Sequence, residues 1–292
     1  MEILSVLRRN DVKKIFPSRI PESHKGMNGR VLIIGGSADY YGAPILSAMG
    51  ALNSGCDLVY LYVPECNFDV TRNAAPDFIV KKYSGDYFNK KAAHEIANFA
   101  KTCDCALIGP GIGEDENVID GVIEFLKRAK IPIVLDSTAI YALKKIKDFP
   151  FEQPIVITPH LNEFERLIDK ELDIADSIGL ERKKILYLQM LSKELHINIV
   201  LKGKDDYISS DEGAICKNTT GNAGMTVGGT GDVFAGFVAS LISQGASPIN
   251  ACKAAIFTNG AAGDSLFKKK HYYYTASDLA AELPFVIKNL RD

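Results

Sequence analysis

Short runs of apolar and β-branched residues, alternating with stretches of helical spacing, leave this chain few architectures to adopt. The runs are residues 31–34, 58–63, 78–80, 105–108, 133–135, 155–157 and 197–201. Most are apolar throughout rather than alternating, as strands are when helices cover both faces of a parallel sheet. Helical patterns occupy residues 44–53, 92–100, 116–129, 139–146, 161–168 and 180–195. Residues 207–209 and 214–216, joined through Asp211-Glu212-Gly213, have the form of an antiparallel hairpin. Further helices are expected at 233–243, 249–267 and 277–289. The pattern predicts a three-layer, doubly wound α/β fold, with a mostly parallel sheet flanked by helices and the hairpin as its C-terminal edge. No linker, low-complexity tract or repeat breaks it. One domain over residues 1–292 is expected, with residues 1–20 as a lead-in.

Composition narrows the function. A chain of 292 residues with 47% hydrophobic content can bury a full core. A net charge of −2 gives no general attraction to nucleic acid or to an anionic membrane. No apolar run approaches the roughly 20 residues needed to span a bilayer. Residues 1–9 lack the apolar core and cleavage site of a signal peptide, so a cytoplasmic protein is expected. The six cysteines, Cys56, Cys66, Cys103, Cys105, Cys216 and Cys252, are scattered and form no zinc-binding spacing. They read as reduced thiols, mostly packed as small hydrophobes.

The segment richest in chemistry is Asn222-Ala223-Gly224-Met225-Thr226-Val227-Gly228-Gly229-Thr230-Gly231-Asp232, which leads into an apolar helix pattern. Glycines let backbone approach a ligand closely, and N–H groups at a helix start attract anions. Gly228, Gly229, Thr230 and Gly231 therefore form a candidate anion hole. A carboxylate beside bound phosphate repels it, yet is well placed to take a proton from an attacking hydroxyl. Asp232 is the candidate catalytic base. The structural alternative is that Asp232 only caps the helix. Four glycines in the eight residues from Gly224 to Gly231 favour the phosphoryl-transfer reading.

Ligands of such sheets lie beyond the carboxyl ends of the strands. Predicted strands run there into Gly35-Gly36-Ser37 and Gly42-Ala43-Pro44, into Gly109-Pro110-Gly111-Ile112-Gly113, into Asp136, into Thr158-Pro159-His160 and into Lys202-Gly203. There is no GxxxxGK[ST], so the chain is not a P-loop enzyme. GxGxG at 109–113 without a following ribose-binding carboxylate disfavours a Rossmann dehydrogenase.

Together with His24-Lys25-Gly26 and Glu163, these segments resemble the ADP/ATP-dependent NAD(P)H-hydrate dehydratases, of ribokinase-like fold. The resemblance extends from about Arg19 to the C-terminus. It implies repair of hydrated NADH or NADPH, in which the 6-hydroxyl of the ring is phosphorylated from ADP or ATP and then eliminated. It implies nucleotide binding by Lys202, Gly203, Lys204, Asp205, Asp206 and Gly231, and hydrate binding by Ala43, Gly111, Gly113, His160 and Asp232. Mg²⁺ is the implied metal, its ligands unknown, with Glu163 either holding it through water or serving only as a first-turn helix glutamate favoured by the dipole. The resemblance also implies a homo-oligomer, and a separate chain for any epimerase activity. This chain departs from the family at Asn162, where glycine is usual, and at Asp206, where threonine is frequent. Against this reading stand a small-molecule hydroxyl kinase of the same fold, acting on hydroxymethylpyrimidine or hydroxyethylthiazole, and a non-catalytic nucleotide-binding regulator.

Overall fold

Residues Val31, Leu32, Ile33 and Ile34 account for the layering. All four are fully buried, and successive side chains of a strand point to opposite faces. Val31 and Ile33 join one hydrophobic cluster, Leu32 and Ile34 the other. A sheet buried on both faces must be covered on both.

The computed structural model describes residues 5–147, 150–172 and 177–292. Among them the strands are β1 (Ser5–Val6), β2 (Arg30–Ile34), β3 (Leu58–Pro64), β4 (Ile79–Tyr83), β5 (Cys105–Ile108), β6 (Ile133–Leu135), β7 (Ile155–Ile157), β8 (Asn198–Leu201), β9 (Asp206–Ser209) and β10 (Ile215–Asn218). They form one sheet in the order β1-β10-β9-β8-β7-β6-β5-β2-β3-β4. Every pairing from β8 across to β4 is parallel. The chain leaves β2 outward to β3 and β4, then returns to β5 on the other side of β2. That reversal opens a crevice where ligands bind in folds of this kind.

Helices α1 (Arg9–Lys13), α2 (Gly42–Asn53), α8 (Thr230–Ser243), α9 (Pro248–Lys270) and α10 (Ala276–Arg291) contribute to the core on one face. On the other lie α4 (Lys90–Ala100), α5 (Glu116–Arg128), α6 (Leu161–Ile168) and α7 (Ser177–Leu195), while α3 (Phe68–Arg72) sits beside β4. The result is the three-layer, mostly parallel architecture expected.

Helices α2 and α8 pack at glycine distance. A side-chain carbon at Gly236 would stand 1.9 Å from the carbonyl oxygen of Ser47, and one at Gly50 would stand 2.2 Å from that of Val233. Gly229 likewise lies against Leu46. Leu46 meets Gly229 near the start of both helices and the Gln244 amide donates to the Ser54 carbonyl at 3.1 Å just past their ends, so the two run in the same direction. Their N-termini meet at the crevice.

Three features differ from the sequence expectation. Ser5–Val6 pairs in parallel with β10, so the lead-in adds a strand outside the hairpin formed by β9 and β10. Residues 137–144 wind as a 3₁₀ segment rather than an α-helix. Strand β4 continues to Tyr83 through Lys81 and Lys82, charged residues suited to the edge that it forms. Residues 1–4 of the lead-in lie outside the described residues.

Candidate active site

The loops beyond the strands form a connected series. Gly111 lies against Tyr40 and Ala43 at the start of α2, and Gly113 lies against Tyr87 and Ser37. Gly109, at φ +133°, leaves room for the Asp136 carbonyl, which would stand 1.9 Å from any side-chain carbon there. The Thr158 hydroxyl donates to the Asp136 carboxylate at 2.6 Å. His160 and Lys202 share a parallel bridge, and the Lys202 N–H donates to the Pro159 carbonyl at 2.9 Å. The Lys202 Nζ stands 3.2 Å from where a side-chain carbon of Gly231 would be. Loops after β2, β5, β6, β7 and β8 thus converge on the start of α8.

That helix start is built for an anion. Its N-cap is Gly229, at φ +96°, a conformation strained for any other residue, and no side chain caps it. The N–H groups of Thr230, Gly231 and Asp232 have no intrahelical partner, and the helix dipole adds positive potential. Thr230 stays inside: its hydroxyl donates to the carbonyls of Met225 at 2.7 Å and Val227 at 3.2 Å, tying the preceding turn to the helix. Gly228 is exposed with open space around it. Asp232 is the third residue of the helix, not its cap.

Four charged side chains set the electrostatics. Asp136 is 4% exposed, and the Lys202 ammonium pairs with it at 3.2 Å. Burial pushes the Asp232 carboxyl up to about 7, helped by Asp136 and Glu163 and opposed by Lys202. Glu163 is also raised, chiefly by burial. Burial works against the Lys202 charge, but the surrounding carboxylates outweigh it and raise its pKa. Asp232 therefore combines a base of neutral pKa with a neighbouring cation and an anion cradle, the combination that proton removal coupled to phosphoryl transfer needs.

His160 and Glu163 satisfy a cap. The His160 N–H donates to Glu163 at 2.8 Å, and the Glu163 N–H donates to the His160 ring at 3.3 Å. The ring remains half exposed, toward solvent. Among the described residues no three His, Cys, Asp or Glu side chains form a metal-ligating group. Mg²⁺ keeps several waters and binds through one or two carboxylates plus substrate phosphates, so Glu163 fits it only as a partner through water.

The 203–206 turn carries Asp206, which the resemblance implies as a nucleotide-binding residue. Asp206 does not face the turn's outer surface: its carboxylate is buried, accepting from the Gly203 N–H at 3.0 Å and from the Asn218 amide at 3.0 Å. Burial pushes it up to about 6. Asp205 pairs with Lys217 at 2.9 Å, Lys204 is exposed, and Asn162 is exposed near the start of α6. Asp136 was marked in the sequence only as a polar strand end; its central position emerges from the pairing with Lys202.

The family model for NAD(P)H-hydrate dehydratase matches residues 31–285. The ADP-dependent (S)-NAD(P)H-hydrate dehydratase of Cenarchaeum symbiosum is 37% identical over 285 residues, covering 97% of this chain and 96% of that protein. The bifunctional NAD(P)H-hydrate repair enzyme Nnr of Methanothermobacter thermautotrophicus is 36% identical over 275 residues, covering 93% of this chain and 52% of the relative. The crystal structure of the ADP/ATP-dependent NAD(P)H-hydrate dehydratase of Bacillus subtilis, co-crystallised with ATP/Mg²⁺, superposes with a TM-score of 0.85 at 28% identity, covering 99% of this chain and all of that one.

Proposed function

The chain belongs to the NAD(P)H-hydrate dehydratase family, and on that premise we propose that it uses ADP or ATP to return hydrated NADH or NADPH to the reduced dinucleotide. The observation that carries the reading is Asp232, whose carboxyl is raised to about 7 on the third residue of α8, beside a helix start without a side-chain cap. Ala43, Gly111, Gly113 and His160 line the side of the cleft assigned to the hydrate. Gly228–Gly231, Lys202 and the turn residues Gly203, Lys204 and Asp205 line the side assigned to the nucleotide, while the Asp206 carboxylate faces inward.

In this reading Asp232 takes the proton of the 6-hydroxyl as its oxygen bonds to the terminal phosphorus of the nucleotide. The bond from that phosphorus to the departing AMP or ADP breaks. N–H groups of the cradle hold the phosphoryl oxygens, and the Lys202 ammonium, held by Asp136, adds a fixed positive charge. The ring nitrogen then expels phosphate from C6, and loss of a proton from C5 restores the ring double bond. Phosphate leaves far more readily than hydroxide, which is why a nucleotide is needed. Mg²⁺, carried with the nucleotide and bound to Glu163 through water, supplies charge neutralisation of the phosphates.

Among the described residues no helix is long and apolar enough to cross a membrane. The test is to mix the protein with Mg²⁺, hydrated NADH and either ADP or ATP. Return of the reduced-nicotinamide absorbance with release of phosphate is expected. A stable phosphorylated product would identify a kinase instead, and nucleotide binding without turnover a regulator.

A further inference from the structure

Asp264, on α9, lies outside the cluster of charged groups at the cleft, and the dehydration chemistry does not use it. Its carboxylate is committed to one task. It accepts from the Gly221 N–H at 3.0 Å and from the Asn222 side-chain amide at 3.1 Å. Asn222 is thereby oriented: its oxygen accepts from the Gly224 N–H at 3.0 Å and from the Tyr274 hydroxyl at 2.9 Å. The Gly224 bond caps the 3₁₀ turn Ala223–Thr226, whose Met225 carbonyl receives the Thr230 hydroxyl at the first residue of α8. The carboxylate is thus linked by an unbroken series of bonds to the helix start assigned to phosphate.

Packing supports the same conclusion. A side-chain carbon at Gly260 of α9 would stand 2.2 Å from the Thr220 hydroxyl, and one at Gly263 would stand 2.6 Å from the Met225 sulfur. The 220–225 segment therefore lies directly on the backbone of α9. The Thr220 hydroxyl also donates to the Phe257 carbonyl of α9 at 3.0 Å, which anchors the start of the segment but does not set the rotation of its Asn222 end. Directional bonds to a carboxylate remove that freedom.

We propose that Asp264 is a positioning residue for the phosphate cradle, acting through Asn222 to fix where the N–H groups of Gly228–Gly231 point. The inference rests on the nucleotide side assigned to those residues above.

The test measures binding of ADP and ATP separately from dehydration. Asp264→Asn places an amide against the Asn222 amide, and Asp264→Ala removes the acceptor. The exchange variant, Asp264→Asn with Asn222→Asp, restores the bond between the two side chains with donor and acceptor reversed and keeps the Gly221, Gly224 and Tyr274 donors as they are. The amide introduced at position 264 accepts from the Gly221 N–H through its oxygen and donates through its nitrogen to the carboxylate introduced at position 222. We expect each single variant to weaken nucleotide binding about ten-fold or more, with the hydrate KM within about two-fold of wild type, and the exchange variant to recover most of the loss. Unchanged nucleotide affinity in both single variants overturns the proposal. Equal losses for nucleotide and hydrate that follow Tm overturn it too, as does failure of the exchange to restore binding. Wild-type protein that binds nucleotide without dehydrating the hydrate refutes the proposed function but leaves this test intact, whereas wild-type protein that binds no nucleotide refutes both.

Discussion

The Lys202 ammonium stands 3.2 Å from the Asp136 carboxylate and against the backbone of Gly231, immediately before Asp232. One ion pair, contributed by the ends of β6 and β8, therefore lies beneath both the candidate base and the candidate cradle. Its two members act on Asp232 in opposite senses, Asp136 raising the carboxyl pKa and Lys202 lowering it. Proton affinity at the base is set by their balance on top of burial.

Replacing Asp232 with asparagine separates catalysis from folding. General-base contributions are typically about 10²–10⁴-fold, so kcat should fall by that order. Nucleotide affinity should hold or tighten, since a negative charge beside phosphate is removed. A variant that folds normally and turns over like wild type would falsify the role of Asp232 as base.

The same substitution has a pH-dependent effect on stability. The folded Asp232 carboxyl titrates near 7, above its ordinary value of 3.8, so ionising it opposes folding. That opposing contribution is absent when both folded and unfolded forms are protonated, grows as pH rises, and is complete above about pH 7. Asp232→Asn should therefore raise Tm at about pH 8, with the gain shrinking toward about pH 4. Differential scanning calorimetry across this range checks the sign; a Tm gain that is larger in acid contradicts it.

The pH–rate profile should move in two directions. Because the base must be ionised, wild-type kcat/KM should rise through about pH 7 as Asp232 loses its proton. Asp136→Asn should shift this limb to lower pH, and Lys202→Met should shift it to higher pH. Two shifts of the same sign would mean that some other group controls the limb.

Ala43 and Gly111 already touch closely, a side-chain carbon at Gly111 falling 3.1 Å from the Ala43 methyl. Ala43→Phe should therefore fill the hydrate side of the cleft, raising the hydrate KM about ten-fold or more with little change for ADP or ATP. Steady-state kinetics with each substrate varied in turn would show this. Equal increases for both would move Ala43 out of the hydrate site.

Asp206→Thr brings the chain to the residue frequent in its family. Because the Asp206 carboxylate faces the Gly203 N–H and the Asn218 amide, its loss should leave nucleotide affinity within about two-fold while lowering stability by about 1–3 kcal/mol. Thermal unfolding and nucleotide titration distinguish this from the alternative, in which removing a negative charge tightens nucleotide binding several-fold with no loss of Tm.

The strands at 105–108, 133–135 and 155–157 coincide in sequence pattern and structure to the residue. Each is a wholly apolar run bounded by polar, glycine or proline residues, and burial on both faces writes itself directly into such a run. Ser5–Val6 carries no such mark, since both residues are exposed and only backbone pairing with β10 makes them a strand. The first residues of α8, Thr230, Gly231 and Asp232, carry no apolar mark either, since they precede the apolar run that starts at Val233.

The amino-acid sequence alone determined the layered fold, the family motifs and the glycine-rich helix start with its carboxylate, because periodicity, turn chemistry and local spacing act between residues close in the chain. The tertiary structure decided that Asp136 meets Lys202 across 66 positions, and that Asp206 turns inward to Asn218 while Asp264 turns to Asn222. These pairings depend on strand order, on the register of β6, β7 and β8, and on the distance at which α9 carries the 220–225 segment. Coulombic and hydrogen-bond energies change steeply over a few ångströms, a scale that is set only once the sheet and its helices have packed.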